Sequence, residues 1–307
     1  MSKECLKESF VEMQNADTWS LQLLKISSST DVATYYSRQV ELNPEGKIKS
    51  TANDLVKKYL SSKGIDSFSE VEEYTGDVVA NVIYKFESDN SLINKELASL
   101  LNTLANPNME DPIEVKKYQA YVLLTNIKND NEMVPVKLIS MQCPVSNLTN
   151  KFILHKQKNF HEIKEPVLTL KRSIDVIILG KTVYMLTLDG ENLFAMERAY
   201  KSVCQSKVEE IIDCGFITDP GFFKSIATSG HNPRRFVSYN QTRLDALKDV
   251  DRRNKLAQKF EMRLNENKID TVDKKTSERL VKFLCNKAML DPLDESPIEV
   301  SAAKRWQ

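Results

Sequence analysis

Histidine occurs only three times in these 307 residues, glycine eight times and cysteine five. Each scarcity closes off a class of chemistry. His155 and His161, even with Cys143, lack the close pairing of a zinc ligand set. Cys5, Cys143, Cys204, Cys214 and Cys285 are odd in number and contain no CxxC pair, which argues against both a disulfide framework and a zinc module. There is no P-loop, GxGxxG, HExxH or GxSxG. Apolar runs such as "VIIL" from Val176 fall far short of the roughly 20 residues of a membrane span, and "MSKECLKESF" has no signal-peptide core. The expectation is a cytoplasmic protein without a cofactor, a metal or direct membrane insertion.

What is present is a globular composition, 41% hydrophobic and 28% charged, in a chain long enough for two domains with separate cores. The formal net charge is zero, yet it divides unevenly. Residues 1 to 150 hold 15 Lys and Arg against 21 Asp and Glu, and the remainder holds 28 against 22. Between Lys224 and Asn265 stand ten basic and four acidic residues, a surplus equal to that of the whole second half. Such asymmetry points to a polyanionic partner. An acidic half facing a basic half also favours head-to-tail pairing of two copies, so a homodimer is expected.

The hydrophobic pattern predicts an α+β fold: an N-terminal mixed α/β acidic domain over residues 1–145, then a small antiparallel sheet capped by a largely helical C-terminal region over residues 146–307. Helices are expected from Glu4 and over Leu92 to Leu104, and strands in "VATYYSRQVEL" and over Val78 to Phe86. "YQAYVLLTNI" and "VPVKLISM" should form a hairpin. "SIDVIIL", "GK" and "TVYMLTL" form a second, tight one, followed by "ENLFAM" as a short strand. Four helices are then expected over Arg198 to Cys214, Pro220 to Thr228, Thr242 to Asn265 and Lys274 to Leu290, with "SPIEVSA" as a last strand.

On a single helix from Thr242 to Asn265, Lys248, Arg252, Lys255, Lys259 and Arg263 fall within an arc of about 80° opposite the apolar side. A solvated surface helix carries similar ridges, with Asp245 and Asp249 as pairing partners at helical spacing. The preceding loop favours function, because Arg234, Arg235 and Arg243 stand with His231, Asn232, Ser238, Tyr239 and Asn240 at the helix entrance. Guanidinium groups match phosphate geometry, and a helix N-terminus offers free N–H groups to the same anion. Nothing here dictates base readout, so the expected contact is with the phosphate backbone, tolerant of sequence and sensitive to salt. The rival readings are a metal-dependent nuclease using Asp175, Asp189, Glu191 and Glu197, and a protein interaction scaffold whose ridge meets an acidic surface.

The hairpin "IDVIILGKTVYMLT", then "LFAMERAY" and a helical tail ending in "IEVSAAKRW", resembles the Kiwa anti-phage defence KwaB family, which contains a domain of unknown function. The resemblance covers mainly the second half. It implies DNA as the polyanion in bacterial phage defence, and with the poor enzymatic signals the expected function is a non-catalytic DNA-binding effector. It also implies work beside a small membrane-embedded subunit, KwaA-like, with recruitment to the inner membrane through that partner.

Overall fold

The computed structural model describes residues 3–27, 33–41, 47–61, 64–74, 76, 81–107, 118–129, 132–142, 145–146, 152–156, 159–163, 167–170 and 173–300. The chain divides into two compact units, Met1–Glu73 with Asn81–Met196, and Tyr74–Ala80 with Glu197–Gln307. A sheet-rich first unit is followed by a largely helical second one, and the α+β class expected from the sequence holds.

The first unit contains helix α1 (Lys3–Gln14), strands β1 (Ser20–Ser27) and β2 (Thr34–Val40), helix α2 (Lys47–Leu60), strands β3 (Glu70–Glu73) and β4 (Val82–Glu87), and helix α3 (Asn94–Ala105). Strands β5 (Ala120–Asn129), β6 (Glu132–Ser140), β7 (Val145–Ser146), β8 (Phe152–Lys156), β9 (Asn159–Ile163) and β10 (Val167–Leu168) follow. The hairpin of β11 (Val176–Leu179) and β12 (Thr182–Met185) leads into α4 (Asp189–Leu193). Eight strands form one sheet in the order β2-β1-β5-β6-β11-β12-β4-β3, antiparallel except for the pair β3 and β4.

Alternation along the strands decides what each face meets. Leu21, Leu23, Leu123, Val136, Leu138 and Ile177 share a core with Leu6 and Phe10 of α1 and with Leu55, Val56 and Tyr59 of α2. On the other face, Gln22 Nε2 and Ser37 Oγ donate to the carbonyls of Leu104 and Thr103 in α3, at 3.1 and 2.8 Å. Polar groups buried in a sheet need partners, and Asp175 is fully provided with them. Its carboxylate accepts from Met141 N–H at 2.7 Å and Thr187 Oγ1 at 2.6 Å, while its backbone bonds Ile139 and Leu186. One side chain thereby ties the end of β6 to both ends of the following hairpin.

That hairpin has the expected two-residue turn, with Gly180 at φ +58°, the left-handed conformation glycine adopts without penalty. It does not begin a separate sheet. β11 pairs with β6 and β12 with β4, so the hairpin lies in the first unit, and the division falls at Met196/Glu197 where the sequence had suggested residue 145. "ENLFAM" is helical in part, not a strand: Asp189 and Glu191 occupy the first turn of α4, where acidic residues suit the helix dipole. Gly190 permits the helix to lie on the hairpin, since a Cβ there would stand 2.6 Å from Met185 Cγ.

The second unit comprises α5 (Met196–Asp213), α6 (Pro220–Ala227), α7 (Asn232–Arg235), α8 (Gln241–Lys248), α9 (Val250–Lys259), β13 (Leu264–Asn265), β14 (Lys268–Ile269), α10 (Lys274–Leu284), β15 (Ala288–Leu290) and β16 (Pro297–Glu299). Val208, Ile211, Phe223, Leu244, Leu247, Leu280 and Leu284 form its core. Asp219 and Asp273 cap α6 and α10 by accepting the N–H of Phe222 and Thr276 at 2.9 and 2.8 Å. α10 ends six residues earlier than expected, because Asn286 turns left-handed at φ +57° and the chain returns as β15 paired with β16.

Sequence spacing places Leu280, Phe283, Leu284 and Leu290 on one face of the last helix; the first three are 0%, 3% and 0% exposed in this core, while Leu290 lies on β15. Leu284→Ala is expected to cost about 2–5 kcal/mol, and Leu284→Asp to abolish the folded second unit, both read from urea unfolding followed by circular dichroism. A folded Leu284→Asp protein with an unchanged midpoint would contradict this packing.

Candidate nucleic-acid interface

The segment from Ser229 to Arg263 is built around two helix starts and one break. Gly230, at φ +57°, turns the chain from α6 into the short α7. Asn240 then starts α8, its side chain accepting Arg243 N–H at 3.3 Å. The single helix expected from Thr242 to Asn265 is interrupted at Asp249, which leaves the helical conformation at φ −75°, ψ 128° and caps a new helix by accepting Arg252 N–H at 2.8 Å. α9 stops at Phe260, and Glu261 takes φ +50°. Beyond it, Glu266 and Asn267, at φ +48° and +64°, make the tight turn between β13 and β14.

Arg253 stabilises the break. It is 7% exposed, and its Nη1 donates to the carbonyl of Leu247 at 2.8 Å and also reaches that of Lys248, two carbonyls at the end of α8. Its Nε donates to Asn267 O at 2.7 Å, and the guanidinium lies 5.8 Å from the centre of the Phe216 ring. A helix end leaves carbonyls without intrahelical partners, and a planar, permanently charged fork can serve several at once.

The eight cations proposed from the sequence therefore separate. Arg243 points inward: its Nη1 donates to the carbonyls of Phe283 and Ala288 at 2.6 and 2.9 Å, its guanidinium lies over the Phe283 ring, and burial lowers its pKa from the ordinary value. Arg235 donates to Asn232 Oδ1 at 2.7 Å and lies 3.5 Å from the Glu299 carboxylate. Arg234 lies over the Tyr200 ring, whose hydroxyl is 2.7 Å from that of Tyr74. The polar loop is likewise internally bonded, Asn232 and Ser229 both donating to Ile226 O. Lys248 is exposed and paired with Asp245 at 2.7 Å.

The exposed cations that remain together are those of α9. Arg252, Lys255 and Lys259 lie at i, i+3 and i+7, within an arc of about 60°, and all three are exposed. Lys259 meets Glu295 at 2.7 Å, whereas Arg252 and Lys255 have no ion pair among the described residues. Arg263 is exposed just beyond the helix, with its backbone N–H held by Thr276 Oγ1 at 3.2 Å. Charge at these positions is directed outward and only one of the four is tied to a carboxylate.

The acidic candidates have other surroundings. Asp175 is occupied by the hydrogen bonds described above. Lys201 pairs with Glu197 at 2.7 Å and holds its carboxyl below the ordinary range. Asp189 and Glu191 stand in the first turn of α4. His155 and His161 lie on β8 and β9, at positions one step out of direct register, and Cys143 is outside the described residues. Among the described residues, no three His, Cys, Asp or Glu side chains are grouped to hold a metal ion, and no helix is long and apolar enough to cross a membrane.

Arg252 and Arg253 are neighbours in sequence with opposite roles, which gives a direct test. Arg253→Ala is expected to cost about 2–4 kcal/mol, through lost charge-assisted bonds and carbonyls left without a donor. Arg252→Ala is expected to change stability by no more than about 0.5 kcal/mol. Urea midpoints of the two variants at one pH decide the matter.

A family model described as "Kiwa protein KwaB-like" matches residues 116–292. No curated protein and no solved structure matches the chain.

Proposed function

This chain belongs to the KwaB-like family of Kiwa anti-phage defence components, and on that premise we propose that it binds DNA through the phosphate backbone without cutting it. The observation that supports this reading is the outward row of Arg252, Lys255 and Lys259 on α9, continued by Arg263. Lys248 adds charge at the end of α8. Three cations along one helix face, with further exposed cations on the adjoining elements, suit a polyanion whose charges repeat every few ångströms, and they carry no means of distinguishing bases. Arg234, Arg235 and Arg243, the loop arginines, act here by positioning α7 and α8 and not by meeting phosphates.

A defence protein of this kind also needs a location and a trigger. We assign both to a membrane-embedded, KwaA-like subunit that recruits the chain to the inner membrane, with the chain itself acting as a homodimer. DNA held by charge alone binds fast and at many sites, so its use in defence depends on where the protein is concentrated.

The test is a combined charge reversal, Arg252→Glu, Lys255→Glu and Lys259→Glu, which alters exposed positions and leaves the core untouched. Duplex DNA affinity is expected to fall tenfold or more, and the slope of log affinity against log salt to become shallower by about 2 to 3 units, one for each lost phosphate contact. Gel-shift titrations with and without magnesium provide both readouts. Unchanged affinity and slope in the folded variant would overturn the site, and magnesium-dependent fragments would overturn the non-catalytic reading.

A further inference from the structure

A cleft of about 280 Å³ opens in the first unit where β1 begins, lined by Thr18, Trp19 and Ser20 and by residues of β5 and β6 that include Asn126 and Lys137. Its origin is a difference in strand length. β1 pairs with β5 from Ser20↔Leu124 in one direction only, while β5 and β6 run on together to Asn129↔Glu132. The hairpin overhangs the start of β1, and Thr125 Oγ1 holds the incoming chain by donating to Thr18 O at 2.6 Å.

One donor among the lining residues lacks an acceptor. Lys137 sits in register between Leu124 and Ile178, both apolar, and among the described residues it has no ion pair or hydrogen-bond partner for its ammonium group. Burial alone pulls its pKa below the ordinary lysine value, with no neighbouring charge contributing. The Trp19 side chain belongs to the core on the opposite face of the sheet, with Leu21 and Leu23. A half-buried ammonium group without a partner loses hydration that a counter-charge would offset. Among the described residues no carboxylate lines the cleft, while Thr18, Ser20 and Asn126 add polar side chains around it. A cationic donor without an acceptor, set among uncharged polar side chains, is complementary to a ligand that brings acceptors and negative charge. The volume falls just below the roughly 300–1,000 Å³ of ordinary ligand pockets, which restricts that ligand to a small molecule.

We propose that this cleft binds a small oxyanion, a phosphate or carboxylate group, with Lys137 as its charged contact. The site is independent of the DNA surface on α9. It gives the chain a means of sensing a small anionic molecule.

Two tryptophans are present, Trp19 and Trp306, so Trp306→Phe in the full chain makes Trp19 the sole indole reporter. Titration with sodium phosphate, adenosine monophosphate or sodium succinate, at matched ionic strength, is followed by indole fluorescence and by thermal unfolding. At least one probe is expected to give a saturable change, and the responding probe distinguishes phosphate from carboxylate. Lys137→Met is expected to weaken that binding about tenfold or more, the loss of one charge-assisted hydrogen bond, without lowering the unfolding temperature, because it removes a desolvated charge from an apolar setting. Lys137→Arg is expected to retain binding. No saturable response to any probe in either measurement, or an equal response in Lys137→Met, overturns the proposal. The triple reversal on α9 should leave the titration unchanged, so failure of the DNA surface and failure of this cleft are separable.

Discussion

The guanidinium of Arg253 permits a break in what would otherwise be one basic helix. Ending α8 at Lys248 leaves carbonyls that must find donors, and Arg253 supplies them while also fixing the β13–β14 turn through Asn267 O. Asp249 completes the exchange from the other side by capping α9. With that arrangement in place, the direction of α9 is set independently of α8, and so is the direction in which Arg252, Lys255 and Lys259 project. The charge on the surface thus depends on a charge that never reaches it.

The same point explains how much of the site could be read from sequence. A wheel drawn through Thr242 to Asn265 assumes one axis, and Asp249 breaks it. On either side of the break the local pattern survives, so the three cations of α9 remain on one face as the spacing implied. Lys248 and Arg263 belong to other elements. The signal for the break was present in "LKDVDRR", where Asp249 stands as a helix cap with Asp251 in the first turn behind it. What sequence could not show is that three other arginines meet carbonyl oxygens, asparagine and aromatic rings. To a guanidinium, a phosphate and a set of backbone carbonyls are similar acceptors, and only the fold determines which is near.

Much of the sheet was legible for a different reason. β5 with β6, and β11 with β12, are apolar runs joined by short turns, and α3 has apolar residues at helical spacing, so local chemistry sufficed. β1 was not anticipated because "SLQLLKIS" is buried over four consecutive residues and shows no alternation. Such a run is compatible with a strand or a buried helix until its neighbours are known. Long-range pairing also moved the second hairpin. Nothing within residues 173–188 indicates that β6 and β4 lie on its two sides, and that placement alone assigns the hairpin to the first unit.

The path of the chain between its two units has a practical consequence for anyone seeking to isolate one of them. The polypeptide leaves the sheet unit after Glu73, contributes Tyr74–Ala80 to the helical unit, returns at Asn81, and leaves again after Met196. Tyr74 is thereby available to stack on Tyr200 with the two hydroxyls 2.7 Å apart, a contact that joins residues 126 positions distant in sequence. A fragment starting at Glu197 would carry every element of the proposed DNA surface and yet lack this ring, while the span recognised as a family, 116–292, omits α1 to α3 and β1 to β4 from the sheet unit. The span that marks the family and the units into which the chain divides are consequently different objects.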